Sequence, residues 1–367
     1  MFLVVLSIVG VIGIAGVGIL NQPQFGKIPS GERLERIEKS PNYKDGHFQN
    51  EIPTTMMIKE KSMLSIWWDL FFKNHPNTIP DSGQIPLIKT DLSKLDKNQN
   101  LIIWFGHSSY MIQAAGKRIL VDPVFFAGAP FQFINKAFPG TQVYTPEDIP
   151  EIDFLIITHD HYDHLDYETV PKIKDRVKHV ITGLGVGSHL EYWGYPANKL
   201  TELDWNESAS FDGEFQIHCL PTRHFSGRSL FQTKTLWASF VIETPSGKIY
   251  IGGDSGYGPH FAQIGQKFPG IDLAILENGQ YDKNWSNIHT LPQELPLVAK
   301  DLNAKRFMTV HNSKFKLANH SWDEPKKNAE NLRSQGFDVL MPTIGEVVEW
   351  KKAIVSPEQK IDEPVEK

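Results

Sequence analysis

The chain has 367 residues, of which 40% are hydrophobic, and this is enough apolar material for one large domain or two smaller ones. Its formal net charge of −6 is spread along the chain, which argues against nucleic acid as a partner recognised by a basic surface. A single cysteine, Cys219, excludes an internal disulfide and a cysteine-rich structural zinc site. Any metal must therefore be held by histidine and carboxylate side chains.

The beginning of the chain is strongly apolar. Residues 2–20 contain no charged side chain, and the run is about long enough to cross a bilayer core as a helix. A cleaved signal peptide would show a basic stretch first, and a buried core helix is seldom so uniformly apolar. We predict a single membrane anchor at 1–21 and hence a membrane-associated protein. The basic residues that follow favour the cytoplasmic side only weakly, so the side of the membrane and cleavage of the run stay open.

Residues 22–95 are predicted to form an N-terminal extension that packs on the main domain. A short charged helix is expected at 32–39. The aromatic-rich segment 62–72 fits two interpretations: a helix packed on the main domain, or an element at a membrane interface or substrate mouth, where tryptophan is favoured.

From residue 101 onward, short apolar runs alternate with turn residues. We predict strands at 101–105, 110–113, 118–121, 154–157, 179–181, 215–220, 237–243, 248–252, 273–277, 306–310, 339–341 and 346–350. Helices are predicted near 167–174, 292–303 and 323–335. This pattern indicates an α/β (α+β) fold, in which two mixed sheets pack face to face with helices outside. The catalytic domain is placed at 96–353 and a charged tail at 354–367, and no internal repeat is evident.

The most informative motif directly follows the strand predicted at 154–157. Four metal-capable side chains stand there within six residues: His159, His161, Asp163 and His164. Imidazole and carboxylate are ligands that zinc prefers. Four of them in one loop exceed the three protein ligands of an open catalytic site, so the motif predicts two metals. The alternative, a polar loop with solvated histidines, does not account for the flanking strand or the later partners.

Three later residues complete the constellation. His224, Asp254 and His311 each lie just past the end of a predicted strand, and such ends gather on one edge of a sheet. Alone, Asp254 could belong to a Gly-Asp-Ser-Gly turn that bonds to itself. With the other ligands we assign it as the bridge between two metals, one held by His159, His161 and His224, the other by Asp163, His164 and His311.

This ligand set has a definite chemistry. Two divalent ions about 3.5–4 Å apart can share one hydroxide, lower its pKa to near neutrality and clamp a phosphoryl or acyl centre. No serine or cysteine nucleophile is then needed, and Cys219 is interpreted as a small core residue. Two zinc ions suit the ligands best, with iron or manganese as alternatives.

The order of these residues resembles the metallo-β-lactamase superfamily over about 96–350. That resemblance implies a four-layer αββα sandwich and a two-metal hydrolase site. Three further stretches resemble the N-acyl-phosphatidylethanolamine-hydrolysing phospholipase D group: 106–109 with 120–125, 236–240 with 253–257, and 288–294 with 310–319. The resemblance places the family's zinc ligands on the same seven residues.

The resemblance also implies roles outside the ligand set. His289 matches the family's non-ligand pocket histidine, which would contact the phosphate or the leaving group; the alternative is a histidine on a surface loop. Asp122 and His107 are expected to support the site through hydrogen bonds. Asn312-Ser313 and the segment 277–281 depart from the family pattern, which leaves the acyl-chain pocket and the substrate open.

The sequence therefore predicts a two-zinc phosphodiesterase of phospholipase D type, acting on N-acyl-phosphatidylethanolamine or a related phospholipid through a metal-bridging hydroxide. Asp163, Asp254 and His289 are the expected catalytic residues. One alternative is a hydrolase of lactones, other esters or nucleotide phosphodiesters; another is a non-catalytic metal-binding protein, which the complete ligand set disfavours. The expected partners are a phospholipid or other small ester and the membrane surface, and both a monomer and a homodimer are compatible with the sequence.

Overall fold

The computed structural model describes residues 16–57, 65, 68, 73, 75–228 and 232–351. Within these residues the chain forms two seven-stranded mixed sheets and one short hairpin. The hairpin comes first and consists of β1 (Tyr43–Lys44) and β2 (His47–Phe48).

The first sheet is built mainly from the first half of the domain. Its strands in chain order are β3 (Leu101–Trp104), β4 (Tyr110–Ala114), β5 (Lys117–Val121), β6 (Ile152–Ile157), β7 (Val177–Gly183) and β8 (Leu200–Leu203). The second sheet follows, with β9 (Ser208–Phe211), β10 (Phe215–Leu220), β11 (Ser239–Thr244), β12 (Gly247–Ile251), β13 (Leu273–Glu277), β14 (Phe307–Val310) and β15 (Val339–Leu340). The last strand, β16 (Val347–Glu349), returns to the first sheet beside β3.

The two sheets repeat one pairing pattern, although no repeat is evident in the sequence. In the first sheet β3, β4 and β5 pair antiparallel, and β5 to β8 pair parallel. In the second sheet β10, β11 and β12 pair antiparallel, and β12 to β15 pair parallel. The parallel strands of each sheet therefore end at a common edge, where following loops can build a site.

Helices cover the outer faces of both sheets. They are α2 (Val170–Ile173), α3 (Gly187–Tyr192), α4 (His260–Lys267), α5 (Leu295–Leu302) and α6 (Glu324–Ser334). A further helix, α1 (Glu32–Glu38), belongs to the N-terminal extension, and its Ile37 joins the core between the sheets. One apolar cluster lies between the sheets, a second between the first sheet and α2 and α3, and a third between the second sheet and α4 to α6. The predicted four-layer αββα sandwich is confirmed.

The strand before the histidine motif shows why this part of the sequence is so apolar. In β6, Phe154 and Ile156 belong to the core between the sheets, whereas Leu155 and Ile157 belong to the core beneath the helices. Side chains alternate across a strand, so a strand buried on both faces must be apolar at nearly every position. The motif at 159–164 is thereby held at the end of a strand that is covered on both sides.

Besides the short hairpin of β1 and β2, two strands and two helices of the described structure are absent from the sequence prediction. Strands β8 and β9 each form the edge of a sheet, and their sequences, Leu-Thr-Glu-Leu and Ser-Ala-Ser-Phe, carry little apolar signal. Helices α3 and α4 are six and eight residues long, too short for a clear helical period. The helix predicted at 167–174 is also shorter, because only Val170–Ile173 is α-helical.

The described part of the N-terminal extension packs on the sandwich. Arg33 forms ion pairs of 2.9 and 2.7 Å with Glu191 and Glu202. Phe48 lies in the core between the sheets. Asn50 accepts a hydrogen bond from the backbone N–H of His224 at 3.1 Å and donates one to its carbonyl oxygen at 2.8 Å. The extension therefore reaches one of the predicted metal ligands.

Several sequence predictions lie outside the described residues. They include 1–15 of the predicted anchor, most of the aromatic segment 62–72, and 352–367 with the whole predicted tail. In the described part of the chain, every helix is too short or too polar to cross a bilayer.

The inter-sheet core yields a stability prediction. Phe154→Ala removes a buried ring and should lower the free energy of unfolding by about 3–5 kcal/mol, measured by urea denaturation. Leu297→Ala, at a 44% exposed position of α5, is the control and should change it by less than about 0.5 kcal/mol. Equal losses in the two variants would contradict the placement of β6 between two packed layers.

Candidate metal centre

All seven predicted ligands meet at one edge of the sandwich. The motif at 159–164 follows β6, His224 follows β10, Asp254 follows β12 and His311 follows β14. All seven side chains are largely or fully removed from solvent. The shared edge of the two sheets is thus what brings together residues up to 152 positions apart in the chain.

Three imidazoles form the first cluster. His161 Nδ1 lies 2.9 Å from His159 Nε2 and 3.2 Å from His224 Nε2. Three ring nitrogens this close together have the arrangement expected of ligands that share one metal ion. These are the three residues that the sequence assigns to one metal.

The second cluster combines a carboxylate with two imidazoles. Asp163 Oδ2 lies 3.3 Å from His311 Nε2 and 3.5 Å from His164 Nε2. The same oxygen accepts a hydrogen bond of 2.8 Å from His107 Nε2. The structure therefore groups the three residues that the sequence assigns to the other metal.

Asp254 lies between the two clusters. Its Oδ2 atom is 3.2 Å from His164 Nε2 and 3.3 Å from His311 Nε2. The same atom is 3.7 Å from His224 Nε2 and 3.9 Å from His159 Nε2. One carboxylate oxygen thus faces both sets of ligand atoms, which is the position required of a bridging ligand.

Hydrogen bonds behind the ligands set which ring nitrogen faces the site. His224 Nδ1 donates to the carbonyl oxygen of Ile288 at 2.8 Å, and His311 Nδ1 donates to that of Gly279 at 3.2 Å. A carbonyl only accepts, so Nδ1 carries a proton in both rings and Nε2 is the nitrogen that faces the cluster. His164 is oriented in the same way, because its Nδ1 donates to Asp122.

Asp122 is the centre of this supporting layer. Its Oδ2 accepts from His164 Nδ1 at 2.8 Å and from the Thr158 hydroxyl at 2.6 Å. Since that hydroxyl gives its proton to Asp122, it accepts at 3.0 Å from His159 Nδ1. One buried carboxylate therefore orients an imidazole of each cluster, and the hydrogen bonds expected of Asp122 and His107 are present.

The backbone is strained at three residues of the site. His107, Asp122 and His311 have φ angles of 53°, 40° and 70°, in the left-handed region that residues other than glycine rarely adopt. Such conformations cost about 1–3 kcal/mol each and persist only where the surroundings enforce them. One strained residue, His311, is a predicted ligand. The other two form hydrogen bonds with predicted ligands: His107 with Asp163, and Asp122 with His164.

The charges of the site are strongly coupled. Burial by itself would raise the pKa of Asp163 and Asp254, but nearby imidazoles, His164 first, hold both pKa values well below the ordinary range. Burial opposes charge on His311 as well, yet Asp254 and Asp163 outweigh it and raise the pKa of this imidazole to about 10. The carboxylates therefore require positive charge close by.

In the first cluster the pKa values of the imidazoles are lowered instead of raised. Burial, reinforced by the neighbouring imidazoles, lowers the pKa of His159 well below its ordinary value. The pKa of His224 is also lowered well below its ordinary value, chiefly by burial. These rings are neutral near pH 7, and neutral imidazole is the form that binds metal.

The residues fit divalent metal ions. His164 Nε2 and Asp254 Oδ1 are buried without a hydrogen-bond partner, and buried polar atoms in proteins are rarely left so. Both atoms belong to the predicted ligand set. The neutral imidazoles of the first cluster, the ionised carboxylates and the buried polar atoms without a partner are together what a metal site requires.

His289 lies at the rim of the site and is held by Glu277, the last residue of β13. His289 Nδ1 is 2.7 Å from Glu277 Oε2 and 4.0 Å from Asp254 Oδ2. Glu277 Oε1 also accepts from the backbone N–H groups of Ser255 and Thr290 at 2.9 and 2.8 Å. From the sequence, 277–281 is recognisable only as a departure from a family pattern. The missed signal is the acidic Glu277 at the end of an apolar strand, close to where the other site residues follow their strands.

Comparison with known proteins identifies the class. A family profile described as a beta-lactamase superfamily domain matches residues 117–312. An uncharacterized protein of Mycobacterium tuberculosis is 38% identical over 294 residues, which cover 78% of this chain and 78% of that protein. The chain belongs to the metallo-β-lactamase superfamily, as the sequence predicts, and it is a metal-dependent hydrolase of that superfamily.

Two further comparisons refine this picture. An N-acyl-phosphatidylethanolamine-hydrolyzing phospholipase D of Caenorhabditis elegans is 32% identical over 226 residues, covering 57% of this chain and 62% of that enzyme. A metallo hydrolase of the archaeon Ignicoccus hospitalis has the same fold, with a TM-score of 0.53 at 20% identity over 68% of this chain and 97% of that chain. The predicted similarity to the phospholipase group is thus confirmed.

The bridging position of Asp254 can be tested by metal content. Asp254→Asn should lower bound metal from about two ions per chain to about one or fewer, because the amide is a weaker ligand for both clusters. Plasma mass spectrometry of purified protein measures it. Asp338→Asn is the control, because this exposed carboxylate pairs with Arg306. Full metal content in both variants would exclude Asp254 as a ligand.

The supporting role of Asp122 yields a separate prediction. Asp122→Asn keeps all seven ligands but removes the charged acceptor shared by His164 and Thr158. Zinc affinity should fall about 10–100-fold, as measured by competition with a chromophoric chelator. An unchanged affinity would show that the ring of His164 is oriented by packing alone.

Proposed function

We propose that this chain is a two-zinc phosphodiesterase of phospholipase D type that hydrolyses N-acyl-phosphatidylethanolamine or a closely related phospholipid. The observation that carries the proposal is the position of Asp254 Oδ2, within 3.9 Å of nitrogen atoms from both clusters. A shared carboxylate of this kind indicates two adjacent metals, and paired metals suit in-line displacement at phosphorus.

The chemistry divides between the metal ions and the residues of the chain. Two zinc ions, when bound, would supply an activated water and a clamp for the phosphoryl oxygens. The chain holds them through the seven ligands and confines the reaction to a buried edge of the sandwich. Water adds to phosphorus, and the bond from phosphorus to the oxygen of N-acylethanolamine breaks, so the products are phosphatidic acid and N-acylethanolamine.

His289 is proposed to contact the phosphate or the leaving oxygen. Its Nδ1 is engaged by Glu277, which leaves Nε2 as the ring nitrogen available to substrate. The ring stacks at 5.3 Å, centroid to centroid, on His311 and meets His224 edge-on at 5.0 Å. These contacts with two predicted ligands keep the imidazole beside the metal centre.

The lipid part of the proposal draws on the 32% identity to a phospholipase D that acts on N-acyl-phosphatidylethanolamine. It also draws on the apolar run 2–20, which would keep the chain at a membrane. Asn312, which departs from the family pattern, has a structural role that is compatible with a lipid substrate. Its side chain donates to the backbone carbonyl oxygens of Asn278 and Val310 at 3.0 and 2.9 Å. Asn312 thus ties the ends of β13 and β14 together beside the site.

An assay with labelled water tests the substrate and the bond that is cut. The purified full chain, loaded with zinc, is mixed with vesicles containing N-acyl-phosphatidylethanolamine in water enriched in oxygen-18. One label should enter phosphatidic acid and none should enter N-acylethanolamine, as read by mass spectrometry. A chelator should abolish turnover and added zinc should restore it. Absence of phosphatidic acid at every zinc level would exclude this substrate.

The role of His289 is tested with the same lipid. His289→Gln should lower kcat by about 100-fold or more, because the amide cannot exchange a proton with the leaving oxygen. Metal content should stay at the wild-type level, since His289 is not among the proposed ligands. His218→Gln is the matched control, because His218 pairs with Glu243 on the face of the second sheet and should keep wild-type kcat. Loss of metal in His289→Gln would show that His289 is a ligand instead.

A further inference from the structure

The connection between β5 and β6 carries an apolar tip that faces solvent. Phe133 is 76% exposed, more than any other large hydrophobic residue among those described, and its neighbour Ile134 is 46% exposed. Phe133 stacks on Phe131 with ring centroids 5.4 Å apart. Residues 125–135 contain no charged side chain, and Lys136 follows them. We call residues 126–138 the aromatic loop.

The base of the aromatic loop is fixed, so its tip has a defined position. Ala127 and Lys136 form a β-bridge across the loop. The backbone N–H of Phe138 donates to the carbonyl oxygen of Lys314 at 2.7 Å, and the side-chain amide of Asn135 donates to that of Lys316 at 3.0 Å. The exposed rings are therefore presented by a braced loop.

The aromatic loop lies beside the metal centre. A Cβ atom built on Gly128 would lie 3.4 Å from the Cβ of Asp163, so the loop backbone packs directly on a predicted ligand. Beneath the loop is a cavity of about 300 Å³ lined by Phe131, Tyr162 and Arg228, among others. Tyr162 stands between His161 and Asp163 in the metal motif. The loop that carries the exposed tip is therefore anchored on the predicted metal motif.

Phe131, on which Phe133 stacks, also contacts the chain shortly after the apolar N-terminal run ends. Phe25 meets Phe131 edge-on with ring centroids 6.0 Å apart, and it meets Tyr162 in the same way at 6.3 Å. A few residues earlier, Val17 is 61% exposed and Ile19 is exposed as well. The aromatic loop thus contacts the segment that directly follows the apolar run.

We propose that the tip of the aromatic loop, through Phe133 and Ile134, docks on a lipid bilayer and presents the metal centre to it. This proposal rests on the proposed function, because it supplies the route by which a membrane phospholipid meets the site. A bilayer is the occupant that the contact with the segment after the apolar run favours. Aromatic and aliphatic side chains gain by leaving water for the boundary between headgroups and acyl chains. Lys136 is placed to meet phosphate headgroups there.

A fluorescent label can report docking directly. Ile134→Cys in the full chain is coupled to an environment-sensitive nitrobenzoxadiazole dye; the native Cys219 is buried and stays unlabelled. Leu297→Cys is the matched control, since this position on α5 is 44% exposed, close to the value for Ile134. Both proteins are titrated with phosphatidylcholine–phosphatidylethanolamine vesicles, with and without brominated acyl chains.

The expected result is that vesicles shift the emission of the label at 134 to shorter wavelength and that brominated chains quench it, while the label at 297 does not respond. A label at 134 that stays in water while the chain is bound to vesicles would overturn the proposal. A label at 134 that is already shielded from water without lipid would overturn it as well. If that shielding increases with protein concentration, a second copy of the chain covers the tip; if it does not, another segment of the same chain covers it.

Kinetics separate this proposal from the proposed substrate. Phe133→Ser should lower hydrolysis of vesicle lipid by roughly tenfold, and Leu297→Ser should not, because only the former loses apolar area at the bilayer. Equal rates in the two variants would count against docking through Phe133. If the label at 134 enters the bilayer but N-acyl-phosphatidylethanolamine is not hydrolysed, the docking surface stands and the proposed substrate fails.

Discussion

The structure depends on one carboxylate that faces two sets of imidazoles. Asp254 Oδ2 is 3.2 and 3.3 Å from His164 and His311 on one side, and 3.7 and 3.9 Å from His224 and His159 on the other. So many ionisable groups, all buried, are stable together only when their charges balance. Divalent ions, when bound, would contribute to that balance, and in the proposed two-metal site the same carboxylate would lie between the two ions.

The second determinant is the layer of hydrogen bonds behind the ligands. Asp122 orients His164 directly and His159 through the Thr158 hydroxyl, while main-chain carbonyls orient His224 and His311. Glu277 holds His289 in the same manner, although His289 is not among the proposed ligands. Each of these rings can then offer only one nitrogen to the site, so the candidate metal centre depends on the side chains that orient its predicted ligands.

Much of this could be predicted from sequence because the information is local. The ligands at 159–164 lie within six residues, and the strand before them is recognisable since burial on both faces demands apolar residues throughout. The edge strands β8 and β9 could not be predicted, because their apolar residues are few and stand among threonine, glutamate and serine, which leaves a weak pattern. Glu277 was missed for a related reason: a single acidic residue at a strand end acquires meaning only from its neighbours in space.

The sequence by itself determined the superfamily, the sandwich and the grouping of seven side chains into two sets of three with one shared carboxylate. Only the tertiary structure decided which nitrogen each ring presents, that Glu277 holds His289, and that the loop carrying the exposed Phe133 and Ile134 packs at its base on Asp163. The physical reason is distance along the chain. Ligand type and strand pattern can be recognised from residues that are adjacent in the chain. Hydrogen-bond partners and surface patches come from separate segments that only folding brings together.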